Sequence, residues 1–314
     1  MRTGAELVVA RKPMSQRLQV FFELAKLRLS SLVLVTVAVG WLAARLHGQR
    51  WTTAETPLLT TLIAAMFGVL ATAAGAAAIN QVIERELDAR MHRTRERPLP
   101  SRRISVDGAL TFGLVAILVG LLVLILGSGP LAALLAFLSA IVYVVVYTPL
   151  KRMTTLNTIV GAVSGALPPM IGYVAATGAL DAHAWALFGI LFVWQIPHFL
   201  AIAWLYREDY ERAGMRMLGV VDADGSLTMR QLLLFGLLLI PVSLMPVVTG
   251  LSGVFYAIVA LVLGLWFALG GVRLMRSKTR EDARRLFFIS LLYLPLLLVA
   301  LLGDILLFGG SGGH

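Results

Sequence analysis

Nine apolar runs, each about long enough to cross a bilayer, leave this chain few alternatives for its fold. A membrane-spanning helix takes roughly 20 apolar residues. The runs fall near Leu29–Leu46, Leu58–Ile83, Gly108–Leu126, Leu131–Leu150, Leu156–Ala176, Trp185–Tyr206, Leu232–Thr249, Val254–Met275 and Leu286–Phe308. The links after the third and seventh runs, Gly127–Pro130 and Gly250–Gly253, are so short that the flanking runs must form antiparallel hairpins. A length of 314 residues would by itself allow two domains, but 59% hydrophobic residues, 14% charged residues and a mean hydropathy of +0.86 overrule that expectation. The sequence therefore predicts an all-α integral membrane protein. Residues 1–28 form a basic N-terminal segment, 29–308 the nine-helix domain and 309–314 a short tail. No apolar run with small cleavage residues behind it stands near the start, so a secretory signal is not expected. The segment Gln16–Arg28 alternates apolar and basic residues, which suits a surface-lying amphipathic helix as well as the wetted start of the first span.

Charge sets the expected orientation. Of the 27 Lys and Arg residues, Arg45 and Arg50 alone fall on one side of the predicted bilayer. All the others lie in the N-terminal segment or in the links after the second, fourth, sixth and eighth runs. Positive loops stay cytoplasmic, so the N-terminus is expected inside and the C-terminus outside. The net charge of +10 is thereby assigned to topology and to a site, and nucleic acid is not an expected partner. There is no cysteine, which excludes disulfides, thiolate metal sites and cysteine nucleophiles.

The polar stretch Asn80–Pro100, NQVIERELDARMHRTRERPLP, carries the first chemical signal. Asn80, Glu84 and Asp88 are spaced four apart, which stacks them on one helical face. Carboxylates and an amide oxygen in a row suit a hard cation, and the nearby Arg85, Arg93, Arg95 and Arg97 suit an anion that the cation bridges. A juxtamembrane loop whose charges satisfy one another would look the same from spacing alone. A second acidic group, Glu208, Asp209 and Glu211, follows the sixth run and shares the same predicted side of the membrane. The arrangement reads as a four-helix pseudo-repeat without residue-level self-similarity.

Secondary transporters usually bind near the bilayer midplane on broken helices. The mid-span breaks here, at Pro168–Pro169, Pro197, Pro241, Pro246 and Pro295, have no carboxylate beside them. Asp304, near the outer end of the ninth run, reads as a cap or snorkelling residue. Interfacial carboxylates and arginines above apolar helices instead fit an amphiphile with a polyanionic head. Burying a fifteen-carbon tail contributes on the order of 10 kcal/mol at ~0.8 per methylene, which keeps such a molecule in the bilayer. A diphosphate head held by Mg²⁺ is a good leaving group, and a water-poor cavity would protect the allylic cation it leaves behind.

The same residues resemble a known family. NQVIERELDARMHRTRERPLP is similar to the first motif of the UbiA-type prenyltransferases, and its RT..RPL ending to the protohaem IX farnesyltransferase (haem O synthase) branch. Tyr147–Tyr173, Trp194–Leu218 and, more weakly, FFELAKLRLSSLVLVT extend the resemblance over nearly the whole chain. It implies nine helices around a central cavity and Mg²⁺ as cofactor. The implied substrates are farnesyl diphosphate and haem B, with haem O as product. By position, Asn80, Glu84 and Asp88 match the first metal motif, with Gln81 standing where the wider family has Asp. Arg93, Thr94 and Arg97 match the RT..R element, and Lys151, Arg152 and Asn157 the basic loop that closes over diphosphate. In the second acidic motif Asp209 stands with Glu208 and Tyr210 where the wider family has two Asp, so one metal plus arginines is as open as two metals. The catalytic set so implied is Asn80, Glu84, Asp88 and Asp209. The metal set is Asn80, Glu84, Asp88, Glu208 and Asp209. The resemblance also admits other haem-biosynthesis or terminal-oxidase assembly proteins as partners, and it implies a cell (inner) membrane location with the site facing the cytoplasm.

His198 lies inside the sixth run, about three turns deeper than Asp209. It suits either a helix–helix hydrogen bond or a contact with haem. Two rival functions remain open at this level. One is a prenyltransferase of the same fold acting on a quinone precursor or another aromatic or tetrapyrrole acceptor; the other is a haem or lipid carrier without chemistry. Small residues at Ala71–Ala78 permit close helix contact, within the chain or between subunits.

Overall fold

The computed structural model describes residues 14–48 and 58–308; the expectations for residues 1–13, the outer loop with Arg50, and the 309–314 tail lie outside them. Among the described residues every regular element is helical. The chain begins with α1 (Met14–Leu24), α2 (Leu27–Leu46), α3 (Leu58–Asp88) and α4 (Val106–Ser128). Next comes α5 (Pro130–Ile141), which passes through a π-helical stretch (Val142–Tyr147) into α6 (Thr148–Met153). The middle of the chain forms α7 (Asn157–Thr177), α8 (Ala182–Leu205) and two short helices, α9 (Arg207–Arg212) and α10 (Leu218–Val221). The remainder forms α11 (Ser226–Ser243), α12 (Met245–Val248), α13 (Val254–Ser277) and α14 (Arg280–Phe308). Eight of these stretches are long and apolar enough to cross a membrane, counting α5 to α6 and α11 to α12 as one each. The apolar part of α2, Ser30–Leu46, takes the place of the first expected run and is shorter. The protein is a multi-pass membrane protein.

Helices adjacent in the chain pack against one another in turn, and α14 returns to α2 to close a ring. Within that ring α7 also packs on α2, and α14 on α8. Burial follows: 78% of the apolar window of α7 and 67% of that of α8 are covered, against 22% for α4, which faces outward. Lipid tails are as apolar as leucine, so close backbone approach and interhelical hydrogen bonds carry much of the association. Gly40 and Gly172 mark the closest approach. A Cβ on Gly40 would overlap the Pro169 carbonyl, and one on Gly172 would overlap that of Val37. The α3–α4 contact uses Gly68 and Gly75 against Gly120 and Gly113, so the small residues of α3 serve packing inside the chain.

Pro168 and Pro169 sit within α7 without ending it. Pro168 has no N–H to offer the Ser164 carbonyl one turn back. The Ser139 hydroxyl of α5 donates to that oxygen instead, at 2.9 Å. At the other end of the ring Asp304 accepts from the backbone N–H groups of Gly253 and Tyr256, capping the start of α13 as its position suggests. The possible amphipathic segment resolves into a separate helix, α1. Its Glu23 pairs with Arg103, and Phe21 lies 5.2 Å from Phe112 of α4, ring to ring.

Candidate active site

Asn80, Glu84 and Asp88 do share one face of α3. The apolar run suggests that the span stops near Ile83, yet α3 continues through Asp88, because both carboxylates are buried and held rather than solvated. Lys151 Nζ of α6 lies 2.8 Å from Glu84 Oε1. One nitrogen of Arg97 donates to both oxygens of Asp88, at 2.8 Å each. Arg97 can reach because the chain reverses just after α3. The Thr94 hydroxyl donates to the Asp88 carbonyl at 2.9 Å, satisfying one of the acceptors that a helix C-terminus leaves open. Breaking either buried pair by removing one partner would leave an uncompensated charge, at a cost of about 3–5 kcal/mol.

Asn80 is fixed from three sides. Its Nδ2 donates to Thr148 Oγ1 at 2.9 Å, and its Oδ1 accepts from Lys26 Nζ and from the Tyr143 hydroxyl, both at 3.3 Å. The π-helical stretch makes this possible. Its wider turn brings residues five apart into register, and the Thr148 hydroxyl donates to the Tyr143 carbonyl at 2.8 Å. Tyr147 from the same stretch lies under the Lys151 ammonium, 4.5 Å from nitrogen to ring centre.

Lys26 occupies the turn between α1 and α2 with φ 48 and ψ 45, the left-handed region that non-glycine residues adopt at a cost of about 1–2 kcal/mol. The turn delivers its ammonium to the site. Burial, followed by the charges of Arg97 and Lys151, lowers its pKa to about 7, with Glu84 and Asp88 acting the other way.

Lys26, Asn80, Glu84, Asp88, Arg97, Tyr147 and Lys151 line one cavity of about 70 Å³, together with Arg93, Thr94, Tyr210 and the buried Met91, Met215 and Met217, while Tyr143 and Thr148 hold Asn80 from behind it. Such a volume accommodates a few waters. Arg93 donates to the Tyr210 hydroxyl at 3.1 Å and lies 5.1 Å from the centre of the Tyr206 ring. Eight of the residues singled out in the sequence are thus brought together: Asn80, Glu84, Asp88, Arg93, Thr94, Arg97, Lys151 and Tyr210. Lys26, Tyr143, Tyr147 and Thr148 join them from outside the expected set. A signal existed for each of them. Lys26 sits in the weakly matching FFELAKLRLSS segment, Thr148 lies in the Tyr147–Tyr173 stretch, and Tyr143, Tyr147 and Lys151 repeat the four-residue spacing of the acidic row.

Other expected residues stand apart from this cavity. Arg152 and Glu208 are exposed. Asn157 is buried and donates to the Thr154 and Arg216 carbonyls, at 2.6 and 3.1 Å, so it anchors the loop. The Asp209 carboxylate is taken by Arg212 one turn on. His198 Nδ1 lies 2.7 Å from the Ser290 hydroxyl of α14, with its ring stacked on Trp194 and Phe287 at 4.9 and 5.2 Å. Among the described residues no three His, Cys, Asp or Glu side chains form a metal cluster. Asn80, Glu84 and Asp88 nevertheless offer three hard oxygen donors to one cavity. That set fits Mg²⁺, which is typically held by one or two carboxylates, with phosphates and waters completing its shell.

A ring of long apolar helices with carboxylates and guanidiniums gathered at one end of α3 is the arrangement of a membrane prenyltransferase, and the chain belongs to the UbiA prenyltransferase family, whose sequence profile matches residues 32–292. It is 44% identical over 90% of its length to protoheme IX farnesyltransferase of Solibacter usitatus, covering 98% of that protein. It is 42% identical to the protein of that name from Opitutus terrae and 43% identical to that from Salinibacter ruber, covering 90% of this chain in each case and 94% and 96% of those proteins. In fold it is similar to a solved structure of digeranylgeranylglyceryl phosphate synthase, with TM-score 0.76 over 93% of this chain and 99% of that one, at 17% identity. It is also similar to a UbiA homologue from Archaeoglobus fulgidus solved with GPP and Mg²⁺, with TM-score 0.62 over 90% of this chain and 99% of that one, at 14% identity.

Proposed function

We propose that this protein transfers the farnesyl group of farnesyl diphosphate to a vinyl group of protohaem IX (haem B), giving haem O and diphosphate. The observation that carries the reading is the single cavity in which Asn80, Glu84 and Asp88 face Lys26, Arg93, Arg97 and Lys151. The names of the relatives, which match nearly end to end, supply the acceptor. Lys26, Arg93, Arg97 and Lys151 bind the diphosphate, exchanging a carboxylate partner for a phosphate one in the case of Arg97 and Lys151. Asn80, Glu84 and Asp88 would hold Mg²⁺, which when bound neutralises charge as it develops on the departing diphosphate. Tyr143 keeps the Asn80 amide oriented, and Tyr147 positions Lys151. The bond between farnesyl C1 and oxygen breaks, and diphosphate leaves with its electron pair. The vinyl π electrons then form the new carbon–carbon bond to C1, and water adds to the resulting porphyrin-stabilised cation, losing one proton. Met91, Met215 and Met217, the buried apolar part of the lining, keep water from the allylic cation before the vinyl reaches it.

The charge bias of the loops supports nine crossings with the N-terminus and the active site on the cytoplasmic side of the cell (inner) membrane, and the C-terminus outside. The 29–308 region acts as one domain. Incubating the purified protein with farnesyl diphosphate, haem B and Mg²⁺ tests the proposal. A haem heavier by one farnesyl and one hydroxyl group, with one equivalent of diphosphate, is the expected result. Prenylation of a quinone precursor but not of haem would reassign the acceptor, and haem binding with neither product would make the protein a carrier. Full activity in chelator without added metal would remove the metal from the scheme.

A further inference from the structure

A different face of α3 borders a second concavity that the transfer reaction does not use. Arg85 follows Glu84 in sequence and therefore points about a quarter-turn away from the active-site cavity. It lines a groove of about 480 Å³ together with Leu99, Arg102, Arg103 and Ile104 of the loop and Val106 at the start of α4. The three guanidiniums are not equivalent. Arg103 is fully engaged: it pairs with both oxygens of Glu23 and donates to the Glu96 carbonyl at 2.7 Å and to Ser101 Oγ at 3.0 Å. Arg85 has a loose contact with Glu86 at 3.7 Å, with the two side chains 46% and 77% exposed, and pairs of that kind contribute little. Arg102 is exposed and held by a left-handed backbone (φ 55). Among the described residues Glu86 and Glu23 are the carboxylates paired with Arg85 and Arg103, and neither pairs with Arg102.

At Val106 the groove adjoins α4, the outward-facing span. Val106, Leu110, Leu114 and Leu118 follow at four-residue spacing and share one face of α4. The last three are 36%, 50% and 67% exposed. Guanidiniums at the end of an apolar stripe on a span that is 22% covered match a ligand with an anionic head and acyl chains. We propose that this groove binds an anionic glycerophospholipid of the adjacent leaflet. Its phosphate lies between Arg85 and Arg102, and an acyl chain runs along Leu110, Leu114 and Leu118. Arg103 forms the floor and, through Glu23, links the bound lipid to α1. Free phosphate would use the two arginines but not the stripe, and a zwitterionic lipid the stripe but with its phosphate charge offset.

Native mass spectrometry of the full chain, titrated in detergent with phosphatidylglycerol or phosphatidylcholine of identical chains, tests this. The wild type should retain the first phosphatidylglycerol at several-fold lower lipid concentration than phosphatidylcholine. R85Q/R102Q, and to a lesser degree R102Q alone, should lose that preference while eluting as folded protein. R276Q/R284Q, which removes the same charge from exposed positions elsewhere, should keep it, and millimolar inorganic phosphate should not displace the lipid. Equal retention of the two lipids by the wild type, which needs no variant to fold, would overturn the proposal. So would an unchanged preference in R85Q/R102Q, its loss in R276Q/R284Q, or displacement by phosphate.

Discussion

Lys26 bears on the site chemistry out of proportion to its sequence signal. A strained left-handed turn holds its ammonium 3.3 Å from Asn80 Oδ1, in a cavity with Glu84, Asp88, Arg97 and Lys151. Lys26→Met keeps the length and removes the charge. It should raise KM for farnesyl diphosphate and lower kcat/KM by about 10–100-fold, the loss of one charge-assisted hydrogen bond, with KM for haem unchanged. Steady-state kinetics in each substrate checks this. Asp88 and Asp209 are expected to separate sharply. Asp88→Asn disturbs a buried pair with Arg97 and should abolish turnover, whereas Asp209 is already neutralised by Arg212 away from the cavity. If Asp209→Asn were as inactive as Asp88→Asn while remaining folded, the second acidic motif would act in catalysis through a rearrangement of α9. His198 is tied to Ser290 and stacked between aromatic rings. His198→Ala should lower stability by about 0.6–1.7 kcal/mol, the range for a hydrogen bond between membrane helices, and leave haem affinity within a fewfold. A large loss of haem binding in a titration followed by absorbance would make it a haem-contacting residue instead.

At the scale of the elements, the contact between α2 and α7 carries the site. α2 starts at the Lys26 turn and α7 starts at Asn157, so their spacing sets how far Lys26 stands from α3 and α6. Gly40 and Gly172 allow the two backbones to touch. Gly172→Val would drive its branched side chain into the Val37 carbonyl, a backbone atom that cannot rotate away. Overpacking of this kind typically costs 1–3 kcal/mol or more, so the variant should melt lower in detergent and lose farnesyl transfer together with stability. Gly303→Ala on the open side of α14, where a Cβ would meet no atom within 4 Å, should do neither. The π-helical stretch is the other shaping element. It spends one residue of extra turn to bring Tyr143 and Thr148 together around Asn80, which a regular helix would set on different faces.

For the whole molecule, α1 is the part most weakly joined. Glu23 and Arg103 fasten it beside the α3–α4 loop, and the hydrogen bond from Arg103 holds the Glu23 carboxyl below its ordinary pKa. A depressed carboxylate contributes stability that is present above its unfolded pKa and lost as pH falls through the folded one. Acidification below the ordinary glutamate range, near 4.5, should therefore loosen α1 before the ring of long helices opens. Amide exchange followed by mass spectrometry should show protection in α1 dropping below about pH 4.5 while that in α7 and α8 is retained. Simultaneous loss in all three would mean that α1 folds as part of the ring. Because Lys26 begins where α1 ends, the same loosening should lower prenyl transfer.

Apolar runs and loop charges are local properties, and they determined the class of this protein, the place of each long helix to within about six residues, and the row Asn80, Glu84 and Asp88. Spacing within one helix is set by the backbone period, so that row could be read without any tertiary knowledge. Which cations meet those oxygens could not. Lys26, Arg97 and Lys151 come from three separate segments, and only the folding of a left-handed turn, a reversing loop and a π-helical stretch brings them to one cavity. The same limit applies to Asn157, Arg152 and His198. Their neighbourhood in sequence suggests the site, while the packing of the loop and of α14 engages or exposes them elsewhere. Membership in a motif fixes where a residue sits along the chain. Its partner across the cavity is a long-range contact, decided by how the helices close on one another.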